Sequence, residues 1–130
     1  MAEVKLDKLI IHFAQSNKAE GKSPKTISWY SEMLSGFVRF LESHGHRALL
    51  SELGVDTVRE FIVHEQERGI SPYTVQGKVR ALKAFSSWLF REGYTSENLL
   101  YNLTLPKVPA MLIKPLTANE IDQLVNYQNP

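Results

Sequence analysis

Residues 71–93 read SPYTVQGKVRALKAFSSWLFREG, and residues 23–45 read SPKTISWYSEMLSGFVRFLESHG. Each opens on Ser-Pro-x-Thr and closes on Gly. The offset of 48 residues between Ser23 and Ser71 also pairs Gly21 with Gly69, Leu34 with Leu82, Phe37 with Phe85 and Leu41 with Leu89. Such an opening starts a helix for a physical reason. The serine oxygen can accept from the free amides of the first turn, and proline fills a position where no N–H is needed. A closing glycine takes the left-handed conformation that ends the helix. Val75, Val79, Leu82, Phe85 and Leu89 share one face of the later copy. Ile27, Tyr30, Leu34, Phe37, Val38 and Leu41 share one face of the earlier copy. The three- and four-residue spacing predicts helices over 24–44 and 72–92.

Working outward, Leu6, Leu9, Ile10 and Phe13 predict a helix over 4–20, with Gly21 as its stop. A third helix, capped by Asp56 or Thr57, runs to Arg68 with Val58, Phe61 and Ile62 inward, and residues 97–101 read as a short turn. No stretch alternates apolar and polar residues long enough to argue for a sheet, so the fold class is all-α, a bundle of four to five helices. From Leu103 the texture changes. Pro106, Pro109 and Pro115 forbid a continuous helix and predict an extended connector. Thr117 and Glu120 then form a capping-box pattern that opens a helix to about Tyr127. The expected organisation is a helical domain over 1–102, a linker over 103–116 and, over 117–130, the first helix of a further domain.

Composition sets the class. A chain of 130 residues with 43% hydrophobic and 22% charged residues has the size and balance of one globular domain. The absence of cysteine removes disulfides, thiol nucleophiles and Cys-based zinc sites. The apolar runs are too short to span a bilayer and the N-terminus lacks a secretion signal's order, so an intracellular, cytoplasmic protein without a membrane role is expected. His12, His44, His46 and His64 offer no metal-ligand pattern beyond the single His44-x-His46 pair. No acid–base pair or nucleophile arrangement stands out, so neither a cofactor nor a catalytic residue is expected.

The net charge of +1 is uninformative, but its distribution is not. Residues 46–70 set Arg47, Arg59 and Arg68 against Glu52, Asp56, Glu60, Glu65 and Glu67, whereas residues 71–93 set Lys78, Arg80, Lys83 and Arg91 against Glu92 alone. At about 100° per residue, Gln76, Arg80, Lys83, Ser87 and Arg91 form one stripe on the fourth helix, and every charge on it is positive. The third helix mixes signs, as an ordinary solvated face does. The two Ser-Pro-x-Thr starts add unpaired amides, hydroxyls and the positive ends of helix dipoles, with Lys22 and Lys25 beside the first and Tyr73 and Lys78 in or just beyond the second. A cationic face next to two helix N-termini is the footprint of a nucleic-acid binder.

Taken together, the chain resembles the N-terminal core-binding domain of the tyrosine recombinases, the phage-integrase and Xer-type enzymes. The points of likeness are Ser23-Pro24-x-Thr26, the spacing Tyr30–Phe37–Leu41, and Thr74-x-x-x-Lys78-x-x-Ala81-Leu82-Lys83-x-Phe85-x-x-Trp88-Leu89-x-x-Glu92-Gly93. Asn102 to Pro106-Lys107 and Leu116-Thr117-x-x-Glu120-Ile121 resemble the family's interdomain exit and the start of its catalytic domain. The resemblance implies a SAM-like orthogonal bundle acting as one jaw of a clamp on double-stranded DNA. Strand cleavage and rejoining would belong to a separate catalytic domain, and the full-length protein would assemble with itself on DNA. The string His44-Gly45-His46-Arg47 lies far upstream of where the family's His-x-x-Arg would fall, and Tyr127 is not placed as a nucleophile.

Under that reading, Lys22, Lys25 and Thr26 would meet phosphates at the first helix start. Thr74, Lys78, Arg80 and Lys83 would meet the backbone or major groove at the fourth helix, with Tyr73 and Gln76 as further groove contacts. The rival reading is a helical protein-interaction module with Trp29, Met33 and Phe40 as partner contacts, although burial against a neighbouring helix is the expectation for those three.

Overall fold

The computed structural model describes residues 3–109. Four helices follow in order: α1 (Leu6–Ala19), α2 (Pro24–Ser43), α3 (Val55–Glu67) and α4 (Pro72–Arg91), with a short 3-10 turn at Leu50–Glu52. Among the described residues there is no strand, only an isolated antiparallel bridge between Lys5 and Leu49 that ties the start of α1 to the α2–α3 loop. The bundle is all-α. Residues 99–102 form the turn that the sequence places near 97–101. The capping box at Thr117 and Glu120 and the helix to Tyr127 lie outside the described residues.

The apolar faces close on one core. Leu6, Leu9, Phe13, Leu34, Phe37, Leu41, Val58, Phe61, Val75, Val79, Leu82, Phe85, Trp88 and Leu89 are all buried, joined by Leu53, Leu100 and Leu103 from the connections. Aromatic rings carry much of this packing: Phe13 lies 5.4 Å from Phe85 and 5.2 Å from Trp88, and Phe61 lies 5.3 Å from both Phe37 and Phe40. Such ring pairs add to the gain from area burial.

The 48-residue offset is structural as well as textual. Gly45 (φ +79) and Gly93 (φ +82) end α2 and α4 in the left-handed region, and the amides of His46 and Tyr94 close back on the carbonyls of Leu41 and Leu89, each at 2.9 Å. Gly21 and Gly69 repeat this at the ends of α1 and α3, with Lys22 bonding to Asn17 and Ile70 to Glu65. Contacts between the halves obey the same rule. Phe40 lies 5.1 Å from His64, and Trp88 donates to the Ser16 hydroxyl at 3.0 Å. His46 Nε2 lies 3.1 Å from a Glu60 oxygen, and the Tyr94 hydroxyl 3.1 Å from His12. Adding 48 to one member and subtracting it from the other exchanges each pair. The α1–α2 and α3–α4 hairpins are thus related by an approximate two-fold.

Several local expectations are corrected. α3 begins at Val55 rather than after Asp56, with extended Gly54 at its N-cap position; Thr57 sits inside the first turn, accepting from the Gly54 amide at 3.2 Å. Ser23 caps α2 by accepting from the Thr26 amide at 3.2 Å, but Ser71 makes no side-chain cap on α4. Glu65, placed by sign-mixing on a solvated face, is 2% exposed. Trp29 remains 39% exposed, although Met33 is half-buried and Phe40 buried as expected.

Candidate nucleic-acid interface

The crossing of α2 and α4 sets the geometry. Trp29, the sixth residue of α2, packs against Gly77, the sixth of α4, where a Cβ on Gly77 would stand 3.5 Å from Trp29 Cζ2. These positions are equivalent under the 48-residue offset, so the approximate two-fold passes close to this contact. With a rise of about 1.5 Å per residue, each Ser-Pro start lies only about 8 Å along its own axis from it. Two helix N-termini, each with a partial positive charge, therefore flank one crossing.

Around it, Lys25, Thr26, Tyr73 and Thr74 are all exposed, and Tyr73 retains 54% of its surface. The Ser23 and Thr26 hydroxyls bond to each other at 3.0 Å, whereas the uncapped start of α4 leaves the Ser71 hydroxyl free of that duty. Among the described residues, neither Lys25 nor Arg80 has an acidic partner, and both are exposed. Lys22 pairs with Glu20 at 2.9 Å on the surface, a contact that water and salt readily replace.

Three other sequence candidates are engaged inside the molecule. The Lys78 ammonium bonds to the buried Glu65 carboxylate and lies 5.8 Å from the centre of the Phe61 ring. Lys83 donates to the Leu103 carbonyl, and Gln76 donates to the Pro106 carbonyl at 3.0 Å. Two members of the polar stripe on α4 thus hold the chain leaving the bundle, with Leu103 buried and Leu105 packed on the core. A third, Ser87, accepts from Asn98, which also accepts from the fully buried Ser86 hydroxyl at 2.7 Å.

Glu65 is the residue that sequence reasoning missed. Burial pushes its carboxyl upward, but hydrogen bonds from Lys78 and Arg68, with their charge, outweigh that and leave it below the usual carboxylate range. The offset could have flagged it. Glu65 corresponds to Asn17, the other buried polar residue at a hairpin bend, and Lys78 to Tyr30, whose ring lies 5.3 Å from Phe13 as Lys78 lies over Phe61.

A four-helix bundle with paired Ser-Pro starts is compatible with many proteins until it is compared with others. The family model described as "Phage integrase, N-terminal SAM-like domain" matches residues 11–93, from the middle of α1 to the glycine that ends α4. The chain belongs to that family. Relatives of this phage-integrase SAM-like domain include tyrosine recombinase XerC of Bacillus pumilus, 31% identical over 89% of this chain and 37% of that protein. XerC of Bacillus subtilis is 30% identical over 90% of the chain and 38% of its own length. Tyrosine recombinase XerD of Oceanobacillus iheyensis is 24% identical over 90% and 39%. The chain spans less than two-fifths of the length of these curated relatives. No solved structure matches it. Among the described residues, no helix of this integrase-family domain is long and apolar enough to cross a membrane.

Proposed function

We propose that this domain grips duplex DNA as one half of a clamp in a site-specific tyrosine recombinase, whose strand cleavage and rejoining belong to a separate catalytic domain. The observation that carries the reading is the convergence of two helix N-termini on the Trp29–Gly77 crossing, with Lys25 and Arg80 exposed and unpaired among the described residues. Polyanion binding needs fixed donors that are not already neutralised, and this surface supplies them. Lys25 and Thr26 at one start, and Tyr73, Thr74 and Arg80 at the other, meet the duplex. Lys22 contributes after exchanging Glu20 for a phosphate. Gln76 and Lys83 act chiefly by fixing the path of the exit segment toward the catalytic domain. Assembly of several copies on DNA follows from the same reading of the parent protein.

Arg80→Ala tests the assignment. It is expected to weaken binding about equally across DNA sequences and to make the dependence of log affinity on log salt shallower by about 0.9. Lys83→Ala should change that slope less, since its ammonium already has a partner. An anisotropy titration in which Arg80→Ala keeps the wild-type salt slope would remove Arg80 from the interface.

A further inference from the structure

A second basic feature lies beside the crossing. α2, α3 and α4 enclose a cleft of about 370 Å³ lined by Arg39, Ser43, His64, Glu65, Arg68 and Lys78. Resting on the DNA-binding reading above, we propose that this cleft seats a backbone phosphate of the bound duplex, with Arg39 as its principal contact and Glu65 as a positioning residue that holds Lys78 and Arg68 in place.

Three cations line the cleft against one carboxylate, leaving a net charge of plus two inside a concave wall. Both Glu65 oxygens are engaged from within, Oε1 by Lys78 and Oε2 by Arg68, and no ion pair joins Glu65 to Arg39. Arg39 is exposed and has no ionic partner among the described residues. An ammonium carries three donors and a guanidinium five, so Lys78 and Arg68 keep N–H groups to spare after bonding to Glu65. The His64 ring also borders the cleft, with Nδ1 turned toward Glu65 Oε2 at 3.3 Å. Lys78 also lies one helical turn beyond the exposed Thr74, so the cleft continues the surface that begins at the α4 start. An anion of phosphate size with several oxygens fits this donor set better than a monodentate ligand.

Arg39→Ala is the variant of choice, because Arg39 supports no ion pair that folding would miss. With a defined duplex, its salt slope is expected to be shallower than wild type by about 0.9, and Arg39→Glu should weaken binding further at every salt concentration. Should Arg39→Ala keep the wild-type slope while Arg80→Ala lowers it, the cleft is not a phosphate seat and the DNA reading stands. Should wild-type protein show no salt-dependent duplex binding, both fall. Inorganic phosphate separates the remaining source. If it shifts the His64 imidazole resonances saturably while Arg39→Ala leaves duplex binding untouched, the site takes a free anion and the proposal is overturned.

Discussion

Glu65→Ala is expected to destabilise the domain by about 3–5 kcal/mol, because it strands the Lys78 ammonium, only 15% exposed, without its counter-charge. For a domain of this size that corresponds to a fall in Tm on the order of 20 °C. Replacing both partners tests the cause. Glu65→Leu combined with Lys78→Met removes the charges together and should recover most of the loss, since a buried ion pair is often worth no more than apolar residues of similar volume. The acid limb of stability carries the same signature. Because hydrogen bonds from Lys78 and Arg68 hold the folded carboxyl below its ordinary value, its contribution is present above the unfolded glutamate pKa, about 4.3, and is lost as pH falls through the lower folded value. Glu65→Gln should flatten that limb. A Glu65→Ala protein melting within a few degrees of wild type would show that the pair does not support the fold.

Trp88→Ala is the second large effect, about 3–5 kcal/mol by loss of transfer energy and formation of a cavity. Trp88 is 3% exposed, stacks against Phe85 at 6.2 Å and lies 5.6 Å from Tyr94, so its removal uncouples α4 from α1 and from the turn after it. Trp88→Phe keeps one ring in the stack but loses three ring atoms of the buried indole together with the bond to the Ser16 hydroxyl, an intermediate cost of about 2 kcal/mol. Urea unfolding should show both variants with lower midpoints and an unchanged m value; a lower m for Trp88→Ala would place part of its effect in the denatured chain.

The architecture was legible because its signals are local. The Ser-Pro openings, the closing glycines and the apolar spacing each act within a turn or two of chain, and the four helices form where they predict. What stayed hidden depends on which elements meet. Helical projection puts Lys83 and Gln76 on a polar face, but only the return of residues 103–106 over α4 turns them into donors to that segment. The mixed signs of α3 describe its solvated positions well and misplace Glu65, since the ion that compensates its burial sits on another helix. Trp29 reads as an ordinary core aromatic, yet glycine at the facing position 77 offers a shallow seat that leaves its ring partly in water.

That shallow seat gives the chain a built-in optical probe. The protein contains two tryptophans, Trp29 at the α2–α4 crossing and Trp88 inside the bundle. With Trp88 changed to Phe, emission comes from the half-wet indole alone, and its colour and quenching by iodide register whatever covers that crossing without any attached dye.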